Sequence, residues 1–360
     1  MRRAVFRSTA EEGRALLERA PVVHLATTAK GGRPILRAVH GVIDGDVLAF
    51  HGAPAGEKLD GLGRQAVIAA HEVVAEIPSW FVDPERACPA TTYYVSAQVH
   101  GVLEEITAPD VKARVLEGLM AKYQPEGRHV PIRSDDPRYA KAVAGLLVAG
   151  VRLDDVVCKA KLGQNGRLEE RRRIVTELWR RGGPGDARAV DTLVRRFPEL
   201  TPAFLERDGL RLAATLDASE LDEIAPLLDE AYWLAGVPRE AVLAAFLASA
   251  AVVTARDART GALVALARAT SDGKVAWIYD VVVRDEHRRA GAGTAVMELL
   301  LDHPAVRGAR HVRLTTRDAE AFYRRLGFLE LSEAPRHPWR SIEMIRAKPT
   351  AARVALDDRA

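Results

Sequence analysis

The chain has 360 residues, more than a single hydrophobic core usually sustains, so two domains are expected. Its composition, 48% hydrophobic and 28% charged, is that of a folded globular protein and excludes a disordered or fibrous one. Two cysteines, Cys88 and Cys158, exclude a disulfide framework, and a net charge of +3 spread along the chain supplies no clustered basic face for nucleic acid.

In chain order, residues 8–14 are polar where a signal peptide needs its apolar stretch. No uncharged apolar run reaches the length of a membrane span, so a cytoplasmic protein is expected, which also suits the free cysteines. The pattern predicts a helix over 11–19 and strands over 20–28, 35–43, 47–51, 66–77 and 92–106. A helix over 109–123 and a strand over 146–153 follow. Consecutive antiparallel strands with few helices imply a barrel or sandwich. Residues 168–180 read as a helix whose Arg171-Arg172-Arg173 run is a solvated face; Gly182, Gly183 and Gly185 break it, and 186–197 restarts one. The stretch 198–209, with two prolines and a glycine, is the expected boundary between domains at 1–200 and 208–348. Beyond it lie predicted helices at 219–232 and 238–250 and strands at 251–255, 262–270 and 275–283. A helix at 293–301, a strand at 311–316, a helix at 319–326 and a last strand at 341–346 complete the chain.

The sharpest signal is Arg288-Arg289-Ala290-Gly291-Ala292-Gly293-Thr294, a glycine-rich turn between a valine-rich strand and an amphipathic helix. Glycines let backbone N–H groups face a ligand, and the helix start adds free donors and partial positive charge, which together cradle a pyrophosphate. Downstream stands Phe322-Tyr323-Arg324-Arg325-Leu326-Gly327-Phe328. With Asp280-Val281-Val282-Val283 before the loop and Thr316-Arg317-Asp318-Ala319 before the aromatic segment, this part resembles the GNAT N-acetyltransferase superfamily. The resemblance implies an α/β fold with a mixed sheet and acetyl-CoA as cosubstrate, with a small amine as acceptor. It places acetyl-CoA on Val281, Val283 and the loop Arg288, Arg289, Ala290, Gly291, Ala292, Gly293 and Thr294. It makes Tyr323 the acid that protonates the departing thiolate, against the simpler role of packing. Asp280 is the candidate base, or else a structural hydrogen-bond acceptor beside the strand.

The first half has no glycine fingerprint and no metal-ligand spacing. Arg37-Ala38-Val39-His40 lies on one strand, His51-Gly52 ends the next, and Lys58 stands where a helix is expected to begin, a set that can gather around a phosphate. These pieces, with Lys159-Ala160-Lys161-Leu162-Gly163-Gln164-Asn165, resemble the FMN-binding split barrels related to pyridoxamine 5′-phosphate oxidase, nearest the nitroimidazole-resistance-like branch. The resemblance implies an antiparallel split β-barrel with flanking helices and a homodimer that shares its pockets. FMN would be held by Arg37, Ala38, Val39, His40, His51, Gly52, Lys58, Lys161 and Gln164. Gly56 stands where the oxidase has a serine, and the oxidase's C-terminal arginine segment has no counterpart, which sets pyridoxine phosphate oxidation in doubt. Cys88 reads as a partly buried structural thiol, and His24 and His100 as core or pocket wall. Two readings of the whole chain stay open. One is a flavin-binding, oxidoreductase-like barrel fused to an acetyltransferase. The other makes the barrel a non-catalytic sensor, dimerisation or transcription-regulator module that controls the transferase, with no direct DNA contact and no membrane.

Overall fold

The computed structural model describes residues 4–229 and 231–334. By contact density they form a large body up to Arg313 and a small one from Leu314 onward. The N-terminal part of the large body runs β1 (Arg7–Ser8), α1 (Ala10–Arg19), β2 (Val23–Thr28), β3 (Pro34–Val39), β4 (Val42–Asp44) and β5 (Val47–Gly52). Then come β6 (Gln65–Ile77), β7 (Thr91–Val102), β8 (Glu104–Glu105), α2 (Pro109–Tyr123), α3 (Ala140–Gly145), β9 (Leu147–Arg152) and β10 (Asp155–Lys161). The strands make two antiparallel sheets, ordered β1-β10-β7-β6-β2-β3 and β4-β5-β9-β8.

Two stretches predicted as single strands each change sheet instead. Residues 35–43 break at His40 and Gly41 into β3 and β4, which lie in different sheets. The break requires a glycine, because a Cβ at Gly41 would stand 2.8 Å from Val23 Cγ2. Residues 92–106 break likewise at the fully buried Leu103, whose N–H donates to Arg64 O at 2.9 Å, so that Glu104 and Glu105 join β9. Alternation with period two persists through such a crossing, so the sequence pattern hides it. Strand β10 was not expected, because its inward positions Cys158 and Ala160 are small and leave little apolar signal. The helix expected at Lys58 is a single 3-10 turn, Glu57–Gly61. Cys88, expected to be partly buried, is exposed, and so is His24.

The C-terminal part of this body begins with β11 (Glu206–Arg207) and β12 (Leu210–Ala213), preceded by α4 (Leu168–Arg181) and α5 (Asp186–Arg196). Further on lie α6 (Leu221–Leu228), α7 (Arg239–Leu247), β13 (Ala251–Asp257), β14 (Leu263–Ser271), β15 (Val275–Val283), α8 (Ala292–Asp302) and β16 (His311–Arg313). Strands β11 to β16 form one sheet in sequence order, antiparallel except for the parallel pair β15 and β16. Leu263 through Ala267 are all buried, as expected of a strand covered on both faces; α6 and α8 both pack on β14. The helix predicted over 219–232 is shorter, Leu221–Leu228 with Pro226 inside it, because Ala218–Glu220 form a 3-10 turn before it and Tyr232–Leu234 another after it. The small body contains α9 (Glu320–Arg325), and the predicted strand 341–346 lies outside the described residues.

Helix α4 is bonded on two sides. Toward the first sheet, Arg173 Nε donates to Phe81 O at 2.6 Å and Arg181 Nη1 to Glu76 O at 2.9 Å. Toward the second, Trp179 Nε1 donates to Asp302 Oδ2 at 2.7 Å, and Arg307 Nη2 donates to Trp179 O at 2.8 Å and Arg180 O at 2.6 Å. The buried Trp179 ring stacks on Phe204 at 4.7 Å and meets His303 edge-on at 5.6 Å. Beside it, the buried carboxylate of Asp191 on α5 accepts from Ala214 N at 3.0 Å and Thr215 Oγ1 at 2.6 Å. Burial pushes Asp191 up to about 6, against those hydrogen bonds. His303 is buried as well; its Nδ1 accepts from Ala305 N at 3.1 Å, its Nε2 has no hydrogen-bond partner among the described residues, and desolvation pushes its imidazole down to about 4.

Candidate functional site

Strand β15 and helix α8 frame one candidate site. The loop between them, with Arg288, Arg289, Ala290 and Gly291, is exposed. Gly291 is the N-cap residue at φ +90°, a left-handed conformation that suits glycine, and no side chain caps the helix. The first helical bond runs from Ala295 N to Gly291 O at 2.9 Å, so the N–H groups of Ala292, Gly293 and Thr294 have no backbone partner among the described residues. Arg288 ion-pairs with the exposed Asp285 at 3.0 Å, and its Nε donates to Val283 O at 3.5 Å. Strand β16 pairs with β15 over Val275–Trp277 alone, so among the described residues one edge of Val281–Val283 carries no strand. The sequence-predicted residues Val281, Val283, Gly291, Ala292, Gly293 and Thr294 thus sit at a strand edge and the helix start that follows it.

Asp280 lies where β14 and β15 slip register, at φ +51°, an uncommon conformation for a residue with a Cβ. Its carboxylate is buried and fully engaged: Arg268 Nε donates to Oδ2 at 2.5 Å and Trp233 Nε1 to Oδ1 at 2.9 Å. Arg268 also stacks over Tyr279, 4.8 Å from its centroid, and Phe246, at 5.4 Å. Sequence reasoning missed Arg268, although a lone charge in the apolar run Leu263–Ala269 signals a buried partner. Tyr323, in the small body, is half-buried on α9, its ring edge-on to Phe322 at 5.0 Å and Phe328 at 5.9 Å.

The flavin candidates of the first sheets fall into two groups. Arg37 on β3 ion-pairs with Glu57, as does Arg33, and Lys58 Nζ donates to Ala55 O at 2.9 Å. Lys58 also lies along Gly52, where an added Cβ would be 3.1 Å from its Cε. His40 meets the Tyr123 ring at 4.6 Å; His51 keeps an accessible edge, yet desolvation and then the charge of His40 lower its imidazole below the usual value. Ala38 and Val39 pair with His24 and Val23 on the sheet's last strand, β3. Lys161 and Gln164 are not part of this group: β10 is four strands from β3, roughly 19 Å along the sheet. Lys161 hydrogen-bonds Thr91 and lies 5.8 Å from the Tyr94 ring centroid. Both ends of the Gln164 amide close its own loop, accepting from Leu162 N at 2.7 Å and donating to Ala160 O at 2.6 Å. Glu57 was missed by the sequence, where only its place between Gly56 and Lys58 hinted at it.

Residues 9–159 match the family model described as pyridoxamine 5′-phosphate oxidase, and residues 216–328 match the acetyltransferase (GNAT) family. A chloroplastic GCN5-related N-acetyltransferase 1 from Arabidopsis thaliana is 34% identical over 130 residues, which is 35% of this chain and 64% of that protein. The chain therefore spans less than two thirds of that relative. The flavocytochrome Anf3 of Azotobacter vinelandii is similar over 44% of this chain and 69% of its own, at 19% identity and a TM-score of 0.37. A GNAT-family structure from Xanthomonas campestris pv. campestris covers 36% of this chain and 92% of its own, at 29% identity and a TM-score of 0.30. A pyridoxamine 5′-phosphate oxidase-like domain is thus joined to a GNAT domain. Among the described residues no helix is long and apolar enough to cross a membrane.

Proposed function

We propose that the C-terminal domain, bounded from the first near residues 198–209, transfers the acetyl group of acetyl-CoA to a small amine, and that the N-terminal domain binds FMN in a homodimer in the cytoplasm. The observation that carries the transferase reading is the uncapped start of α8 beside the open edge of β15. Three free N–H groups and the helix dipole suit a pyrophosphate, and the free edge of Val281 and Val283 suits a pantetheine arm lying as an added strand. In the reaction, the neutral amine nitrogen attacks the thioester carbon, the carbon–sulfur bond breaks, and the amine's second proton leaves to water. Tyr323 protonates the departing thiolate. Asp280 is read as a positioning group, since both its oxygens are already taken by Arg268 and Trp233.

Two observations support the flavin half. Arg33 and Arg37 converge on Glu57, whose place a phosphate could take, and Lys58 follows Glu57 in the same turn. The outward row Val157, Gln98, Ala69, His24 and Ala38 crosses five strands with mostly small or apolar side chains, next to Leu36 at 62% exposure. A second copy covering that face would meet Lys161 and Tyr94, which share it. FMN would supply electron-transfer chemistry there. The sensor reading is favoured by α4, which is bonded to both sheets.

Native mass spectrometry of the purified chain tests both halves. FMN and CoA are expected to be retained, on a dimer. Colourless protein that cannot be reconstituted with FMN would remove the flavin half alone. Tyr323→Phe is expected to lower kcat about a hundredfold with little change in acetyl-CoA affinity. An unchanged kcat would assign Tyr323 to packing.

A further inference from the structure

A cavity of about 210 Å³ opens between α6, α7 and the turn that joins them. All its lining residues except Asp229 and Arg239 are uncharged; among them are Leu228, Tyr232, Leu234 and Val242. The cavity adjoins β15. Leu234 and Val242 pack in the same core as Val282, and Trp233, between two lining residues, donates to Asp280. Its volume lies below the roughly 300–1,000 Å³ usual for drug-sized ligands, which selects a compact occupant.

Asp229 is the informative residue. It stands exposed at the C-terminal end of α6, where the helix dipole disfavours a negative charge, and among the described residues its carboxylate has no hydrogen bond or ion pair. A carboxylate held there without a cation is suited to receive one. The walls behind it offer apolar contact and no second acid, while Arg239 opposes a second positive charge.

We propose that this cavity is the acceptor site and that it takes a compact primary amine with an apolar body and a single positive charge, its ammonium held by Asp229 before deprotonation. The proposal rests on the acetyl-transfer reading. It excludes polyamines and lysine side chains of proteins as the preferred acceptors.

The test uses the full chain with 2-phenylethylamine, spermidine and a lysine-containing peptide, following CoA thiol release at saturating acetyl-CoA. 2-Phenylethylamine is expected to exceed the other two in kcat/KM by about tenfold or more. Asp229→Asn is expected to raise its KM about tenfold with kcat within about twofold, and Asp229→Glu to recover part of the loss. Preference for spermidine or the peptide, or an unchanged KM in Asp229→Asn, overturns the proposal and leaves the transferase reading standing. Calorimetric titration with acetyl-CoA reports on that reading separately. Titration with 2-phenylethylamine alone decides the cavity even if acetyl-CoA fails to bind: loss of the heat signal in Asp229→Asn supports the site, and its persistence overturns it.

Discussion

Arg268 and Asp280 depend on each other, with side chains only 12% and 5% exposed. Removing the arginine strands a carboxylate that has lost water and keeps a single indole donor. Arg268→Ala is therefore expected to lower stability by about 3–5 kcal/mol, read as the shift of a urea midpoint. A loss under about 1 kcal/mol would mean that the pair is solvated in solution. The partnership was legible in principle, because each residue is the one charge in its apolar strand. The left-handed backbone of Asp280 was not, since it arises from the slip between β14 and β15, and nothing local in Tyr279-Asp280-Val281 demands it. The glycine turn at 291 was fully legible because its conformation, cap and helix are all local. Glu57 was not, because the arginines it holds lie about twenty residues away on other segments.

At the scale of elements, the packing of α5 against the start of the C-terminal sheet buries two groups with opposite responses to pH. Asp191, raised from 3.8 to about 6, binds its proton more tightly when folded. Its contribution to stability is whole below about pH 4 and disappears as pH rises through 6. His303, lowered from 6.5 to about 4, acts in reverse: its contribution is whole above pH 6.5 and disappears as pH falls through 4. Each shift of about two units corresponds to roughly 3 kcal/mol, so the two nearly cancel in between. Relative to the parent chain, Asp191→Asn is expected to gain stability as pH rises from 4 to 6, measured by urea midpoints across that range. A difference that does not vary with pH would show that Asp191 titrates normally. None of this could be read beforehand, because Asp191 is one acid in an amphipathic helix and its partners Ala214 and Thr215 lie beyond the expected domain boundary. Strand-level errors share that origin: β3 to β4 and β7 to β8 turn corners that depend on which sheet each half joins.

For the whole molecule, both domain families were visible because their signatures are short and local, whereas the way the domains are tied together was not. Trp179 replaced by alanine should cost about 3–5 kcal/mol through lost packing and leave Asp302 without its indole donor. Scanning calorimetry is expected to show one main transition in the parent chain and two separated ones in Trp179→Ala. Two transitions already present in the parent would mean that α4 does not join the domains energetically. Helix α4 begins a few residues after Lys161 and ends against the loop that follows α8, so it is bonded both to the sheet of one candidate site and to the far end of the helix that opens the other. Whatever interaction energy passes along it is thermodynamically reciprocal: a flavin that alters the affinity for acetyl-CoA must have its own affinity altered by acetyl-CoA in the same proportion. Titrating flavin fluorescence with and without CoA would therefore measure, from the oxidase-like end, a quantity that belongs equally to the acetyltransferase.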